Sequence, residues 1–401
     1  MTDAPPNPDR MTVYRASGAP PGGRRRRRLV VLGAAAALVV ASAVGAWLMV
    51  CGAGGAGDGQ TGSAAGGGRS PSPAGVAASP SPAPPKVITI GWVGDTTPGS
   101  QYGMPPDAGR ALFARVRPGL RAPDLTIANL EGTYSTGGPS KCGGGSPNCF
   151  AFQAPPSYAK ALAWAGIDLV SVANNHSNDY FQRGLDQTTR ALEKAGIEYA
   201  GLPGQVTVVE VDGVRVAVVG FSPYPWNADI NDIPGARRLI RRAGADADVV
   251  VVLMHAGAEG ADKIHTPSGA EVAFGELRGS PRAFAHAAVD AGADLVLGSG
   301  PHVIRGIERY KKRLIAYSLG NFAGWDNFGL GGNLSLSGLL TVRIDETGRV
   351  RGGRWLSLYL AEPGVPTPDS AHTAAGLVRQ LSAADFARTY ALDAQGSFSA
   401  R

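Results

Sequence analysis

Cysteine and histidine are scarce in this chain, at three and six of 401 residues. Three thiols exclude a disulfide-laced scaffold, and the two beyond Cys51 are too few for a structural zinc site built from cysteine alone. The chain lacks a Gly-x-Ser-x-Gly nucleophile elbow, a P-loop and a strand-linked dinucleotide fingerprint, so the serine-hydrolase, P-loop NTPase and dinucleotide-dependent classes have no motif here. Excess positive charge is also missing from most of the chain. The formal net charge is +6, but seven arginines against Asp3 and Asp9 place +5 in the first 28 residues, leaving about +1 for the other 373. That balance is a topology signal and not a nucleic-acid footprint, so no nucleic-acid partner is expected.

What is present at the front is five consecutive arginines, Arg24 to Arg28, followed by 22 uncharged residues from Leu29 to Val50, rich in Ala, Val and Leu. The run is long enough to span a bilayer, and basic residues stay on the cytoplasmic side. The expected layout is therefore a cytoplasmic tail over 1–28, a single-pass transmembrane signal anchor over 29–50, and an extracytoplasmic remainder; signal-peptidase removal of the anchor is left open. Cys51 follows the apolar run, yet Leu48-Met49-Val50 lacks the small residue that a lipobox places before its cysteine. Residues 51–86 are Gly, Ala, Ser and Pro, ending in Ser79-Pro80-Ser81-Pro82-Ala83-Pro84-Pro85. Such a composition cannot bury enough surface to fold and reads as a disordered tether. The body runs from Val87 to Arg401. In an exported body Cys142 and Cys149, at the ends of a Gly/Pro loop, are expected to form a disulfide that stiffens the loop.

Within the body, β-branched runs at Val87 to Val93, Leu125 to Ala128, Asp168 to Ala173, Val214 to Phe221, Val249 to Met254 and Asp294 to Leu297 alternate with Ala-rich helical stretches at Pro156 to Ala165, Gly184 to Ala195 and Pro281 to Ala291. That order predicts an α/β fold with a largely parallel core. Val303 to Tyr310, Arg313 to Ser318, Leu334 to Ile344 and Val350 to Leu360 then read as consecutive antiparallel strands, with Asp345-Glu346-Thr347-Gly348 as the last turn. Trp164 to Val170 and Asp290 to Val296 echo each other, each leading to a histidine, which recurrent αβ-loop chemistry explains.

Five apolar runs end in residues that bind metals or carry protons: Gly94-Asp95, Asn129-Leu130-Glu131, Asn174-Asn175-His176, His255, and Ser299-Gly300-Pro301-His302. Loops at the carboxyl ends of parallel strands lie side by side, so these residues converge in one crevice. Asp, Glu, Asn and three of the six histidines in one crevice is the ligand mixture of a divalent cation and of acid/base chemistry on oxygen. Glu259 reads as a carboxylate orienting His255. Asp179 reads as the cap of a helix beginning near Tyr180, and Asn174, Ser299 and Asn321 as candidates to touch substrate. His265, His286 and His372 fall in loop or helical stretches and read as structural.

These segments, with Gly132, Ser177 to Asp179, Ala256 to Ala258, Val303 and Ser318 to Phe322, resemble in order and spacing the motifs of the CapA family of bacterial capsule and poly-γ-glutamate synthesis proteins, over about Val87 to Leu360. That family is similar to the calcineurin-like metallophosphoesterases. The resemblance implies a four-layer sandwich of two mixed β-sheets flanked by helices, with Asp95, Glu131, Asn175, His255 and His302 as ligands of one or two Mn, Fe or Zn ions. His176 would give a proton to a leaving oxygen, with its imidazole near its ordinary pKa. Two ligand positions of a full two-metal site depart from the pattern, being Thr97 and Ser299, and Ala256 replaces an aromatic. Two functions follow from the resemblance. One is a metal-dependent hydrolase or transferase on an anionic cell-envelope polymer, working beside polymer-synthase subunits. The other is a non-catalytic accessory protein that binds the polymer for export or retention.

Overall fold

The computed structural model describes residues 11–16, 84–143 and 149–400. The anchor at 29–50, Cys51, nearly all of the linker and most of the tail lie outside the described residues. Among the described residues no helix is long and apolar enough to cross a membrane.

The body is built on two sheets. In the first, β1 (Val87–Thr96), β2 (Leu125–Leu130), β3 (Leu169–Ser171) and β4 (Glu198–Ala200) lie parallel in that order. In the second, β5 (Val206–Val211) turns back antiparallel onto β6 (Val214–Ser222), and β6, β7 (Val249–His255) and β8 (Leu295–Ser299) run parallel. The four antiparallel strands expected near the C-terminus form two separate hairpins. β9 (Ile307–Tyr310) and β10 (Arg313–Ala316) pair with each other, and β10 extends the second sheet beside β8. The chain then crosses over. β11 (Asn321–Ala323) runs parallel to β1, and β12 (Leu336–Asp345) with β13 (Val350–Ala361) extends the first sheet from the other edge of β1. No single meander forms, because the second hairpin pairs edge-on with β1 and so joins the first sheet, while the first hairpin joins the second. The strand Met11–Ala16 pairs antiparallel with β5.

Alternation within each strand decides the layers. Ile88, Ile90 and Trp92 of β1 share one buried cluster with Val216 and Val218 of β6, Val249, Val251 and Leu253 of β7, and Leu340 and Val342 of β12. Side chains of opposite parity face outward and meet helices. Val250, Val252 and Met254 pack with α3 (Ile233–Ala243) and α4 (Pro281–Asp290), while Ala128, Leu130 and Val170 pack with α1 (Ala159–Ala165) and α2 (Phe181–Ala195). The result is two mixed sheets face to face with helices on both outer surfaces, the four layers expected. Both strand sets are buried on two sides, which is why they read as continuous apolar runs. Gly166 and Gly196 end α1 and α2 in the left-handed conformation, and the Asp232 side chain accepts from the Gly235 N–H at the start of α3. Helix α5 (Thr373–Asp385), which has no strong signal in the sequence, packs against β13, β12 and β9.

Candidate metal centre

Strand register places the polar residues. In the first sheet Asn321, Asp95, Asn129 and Ser171 stand opposite one another across adjacent strand ends, and in the second His255 stands opposite Ser299. The sheets are tied at this end by the Trp92 indole N–H on the Gly298 carbonyl at 3.1 Å, so the two rows of side chains meet. Gly94 is required just before Asp95, since a Cβ there would lie 1.9 Å from the Gly320 carbonyl oxygen.

Asp95 is fully buried and fixed from three sides. Its Oδ1 accepts from Asn129 Nδ2 at 2.8 Å, and Oδ2 faces His302 Nδ1 at 3.2 Å and the Gly300 N–H at 3.4 Å. Asn321 Oδ1, 2.8 Å from the same His302 nitrogen, helps hold that ring, whose residue has a left-handed backbone at φ 60°. The other nitrogen of His302 faces Glu131 Oε1 at 3.7 Å. His255 is held through Nδ1 by the Ser299 hydroxyl at 3.2 Å and Asn129 at 3.3 Å, and its Nε2 lies 3.8 Å from the same Glu131 oxygen.

Both Glu131 oxygens and His255 Nε2 are buried without a hydrogen-bond partner. Orphaned buried polar atoms are costly unless something else satisfies them. Donor atoms of Asp95, Glu131 and His255 lie within 4.8 Å of one another, an arrangement that one divalent cation fits. The protonation pattern without a cation agrees. Burial, together with the Asp95 charge, pushes the Glu131 carboxyl well above its usual range. Burial also holds His255 well below the usual imidazole value. Burial opposes the charge on Asp95 and on His302 too, but their mutual contact outweighs it, lowering Asp95 and, with Glu131, raising His302 well above its ordinary value. A bound cation would replace these protons.

His176 sits beside this cluster on the loop after β3. Asp179 holds its Nδ1 at 2.9 Å, and the same carboxylate accepts from the Phe152 N–H at 2.6 Å and pairs with Lys141 Nζ at 2.7 Å. Asp179 is therefore not the cap of α2, whose start has no side-chain cap; the carboxylate points inward to the imidazole instead. A carboxylate can only accept, so the hydrogen is on Nδ1 and Nε2 is left to act. Burial pulls the His176 pKa below its ordinary value against the raising effect of Asp179, so the imidazole is not near its usual value as expected.

Three further expectations change in detail. Glu259 does not orient His255; its carboxylate pairs with Arg278 at 2.5 Å and faces His302 Nε2 at 3.7 Å. Ser299 is 2% exposed with its hydroxyl on His255, so it supports that ring and does not face a ligand. Asn174 is fully buried, its amide bonded to Asn129 and to the Leu130 carbonyl. Asn175 keeps a buried Oδ1 without a partner, which suits a ligand role. Cys142 and Cys149 are joined in a disulfide, with Lys141 just before it and Phe150 just after. His286 and His265 bond Glu308 and Asp385 away from the centre.

Arg278 and Lys141 were invisible to motif reading, since a lone cation in a loop has no spacing to betray that it pairs with a crevice carboxylate. The crevice opens into a cleft of about 340 Å³ lined by His176, Glu259, His302 and Asn321 and by four phenylalanines.

A family model described as bacterial capsule synthesis protein PGA_cap matches residues 89–324. Two curated relatives are the capsule biosynthesis protein CapA of Bacillus anthracis, 30% identical over 53% of this chain and 54% of its own length, and the PGA biosynthesis protein CapA of Bacillus subtilis, 28% identical over 54% and 58%. The chain thus spans just over half the length of those relatives. A solved putative 5'-nucleotidase from Staphylococcus aureus overlaps 74% of this chain and 58% of its own at 15% identity and a TM-score of 0.40.

Proposed function

This chain belongs to the bacterial capsule synthesis protein family, and from that premise we propose that it is a membrane-anchored, extracytoplasmic protein of capsule or poly-γ-glutamate-type polymer biosynthesis. In this reading it binds a divalent cation in the crevice and acts as a hydrolase or transferase on a phosphate or amide bond of an envelope polymer, beside polymer-synthase subunits. The observation that carries it is Glu131, a buried carboxylate with neither oxygen hydrogen-bonded, aimed at the Nε2 atoms of His255 and His302.

Asp95, Glu131 and His255, with His302 and Asn175 at the edge, would hold the cation. When bound it supplies Lewis acidity toward a phosphoryl or carbonyl oxygen. Asn129 and Asn174 fix the strand ends so that Asp95 and His255 keep their places. His176, with Nδ1 fixed by Asp179, would present Nε2 to the cleft and return a proton to a leaving oxygen. Glu259, locked by Arg278, would keep the far side of His302 anionic.

A second reading, a non-catalytic accessory protein holding an anionic polymer for export or retention, draws on Thr97 and Ser299 standing where a two-metal site has histidines. Elemental analysis of the full chain purified in detergent, beside Asp95→Ala and His302→Ala, separates the two. Near-stoichiometric Mn, Fe or Zn in the wild type and its loss in both variants supports the enzyme. A metal-free wild type that binds polymer in the presence of chelator supports the accessory role and ends the first reading.

A further inference from the structure

The cleft changes character along its depth. At its inner end are two imidazoles, His176 with Nε2 left to act and His302 with Nε2 turned toward Glu131 and Glu259. Most carboxylates that would oppose an anion there are matched, Glu259 by Arg278, Asp179 by Lys141 and Asp95 by His302. Glu131 remains, and it belongs to the proposed cation. Farther out, the polar groups of the walls are spent within the protein. Asn321 faces His302 through Oδ1 and donates to the Leu334 carbonyl at 3.2 Å. Asn327 accepts from the Ser100 hydroxyl and donates to the carbonyls of Gly103 and Trp325. What the walls still offer is apolar: Phe150, Phe152, Phe274, Phe328 and Leu334. Phe152 tilts over the His176 ring at 4.5 Å between centroids and Phe328 over the His302 ring at 5.9 Å, so the aromatic wall begins at the imidazoles.

The apolar surface continues outward from the cleft. Nine large apolar side chains are exposed among the described residues, and five of them are carried by its two lips. One lip is Phe150, with Tyr102 packed on it at 5.9 Å between centroids. The other is a short hairpin, Val272–Ala273 paired with Glu276–Leu277, in which Val272 stands opposite Leu277 and Phe274 opens the turn. Phe274 is 86% exposed with a left-handed φ of 53°, a conformation costly for a bulky aromatic and taken more readily by Asn or Asp. Arg278 follows the hairpin directly and fastens it to Glu259. Clustered exposed apolar surface beside a polar centre marks a ligand site.

Resting on the reading that this centre holds a divalent cation and the cleft admits substrate, we propose that the ligand is an amphiphilic phosphate monoester. Its phosphate sits at the inner end, among the cation and the two imidazoles. Its apolar chain lies along Phe152 and Phe328 and out over Phe150 and Phe274. A phosphate brings three terminal oxygens to an end that has three partners for them. An acidic polypeptide would leave the aromatic lips unused, and a neutral sugar would find the wall amides already bonded. A hydrocarbon without a head would leave the centre unused. An envelope polymer would therefore reach this cleft by a lipid-borne phosphate end.

The test uses the full chain in phosphatidylcholine nanodiscs, because detergent would cover the apolar lips. Alkylphosphonates, whose carbon–phosphorus bond resists hydrolysis, are titrated calorimetrically into the manganese-loaded chain from methylphosphonate to hexylphosphonate, with empty discs as the blank. The expected result is binding at least about tenfold tighter for hexylphosphonate than for methylphosphonate, a part of the roughly fourfold per methylene that full burial gives. Phe150→Ala and Phe274→Ala, both at exposed positions, should each remove about three- to fivefold of that gain. Unchanged methylphosphonate binding in both variants shows that the fold and the inner end are intact. Equal affinity across the series, a gain that survives both substitutions together, or hexyltrimethylammonium bound as tightly as hexylphosphonate overturns the proposal. The same series in chelator, with metal content measured, separates this proposal from the cation reading. A metal-free chain that keeps the chain-length gain defeats the cation reading alone, whereas a metal-loaded chain without the gain defeats the amphiphile alone.

Discussion

Asp179 holds the His176 ring through Nδ1 at 2.9 Å while the same carboxylate takes the Phe152 N–H and the Lys141 ammonium. One buried acid thus sets the tautomer of the imidazole, fixes the backbone just after the disulfide and pairs with Lys141.

Replacing that acid should separate orientation from metal binding. In the metal-loaded protein, His176→Ala is expected to lower turnover of a responsive phosphoester or amide substrate by about 10²–10⁴-fold. Asp179→Asn should cost a large part of the same factor, because an amide can donate to Nδ1 and reverse the tautomer. Metal content should stay at the wild-type level in both. Loss of metal in Asp179→Asn would show instead that the carboxylate builds the metal centre.

Glu131 should link cation binding to stability. Cation bound only by the folded protein stabilises it, by about 2.7 kcal/mol at 100 times the dissociation constant, and so raises the unfolding temperature. Chelation is therefore expected to lower the wild-type melting temperature and to leave Glu131→Gln unmoved. The variant should match or exceed the chelated wild type, since without a cation the buried carboxyl is already pushed toward its neutral form. Equal responses of both proteins to chelator would remove Glu131 from the ligand set.

Asp168 provides a pH test away from the crevice. Burial raises its pKa from 3.8 to about 6, against the Thr126 N–H bond and the Arg121 charge. The native state therefore binds more protons than the unfolded chain between about pH 4 and 6. The penalty is absent below that window and grows as pH rises through it. At 1.36 kcal/mol per pH unit, the gap corresponds to about 3 kcal/mol. Asp168→Asn, which keeps an acceptor for Thr126, should gain stability relative to wild type over this window in denaturant titrations, and a pH-independent difference would refute the assignment.

Trp92 should report on the contact between the sheets. It is 1% exposed, packs between them and donates to the Gly298 carbonyl. Trp92→Ala is expected to cost about 3–5 kcal/mol. Trp92→Phe, which keeps much of the volume but orphans the carbonyl, should cost about 1–3 kcal/mol. A near-neutral Trp92→Ala would mean that the sheets do not depend on this contact.

Strands β1 to β3 of the first sheet, β6 to β8 of the second and nearly every crevice residue were legible along the chain, for one reason. Strands buried on both faces must be apolar throughout, so a polar residue at such a run's end stands out. The C-terminal half was less legible because two hairpins with similar patterns join different sheets, and pattern shows which face is apolar without saying which sheet it covers. The short strands β4 and β11 fell below any periodicity signal, although β11 carries Asn321.

Local pattern and strand direction in the sequence were enough to give an apolar-run framework and a crevice in which Asp95, Glu131, His255 and His302 meet. They could not assign partners. That Asp179 serves His176 and not a helix, that Glu259 belongs with Arg278 and His302, and that Ser299 backs His255 are decided by contacts between segments distant in sequence. Tertiary structure alone closes those distances, and the orphaned oxygens of Glu131 are visible only once every other polar group has found its partner.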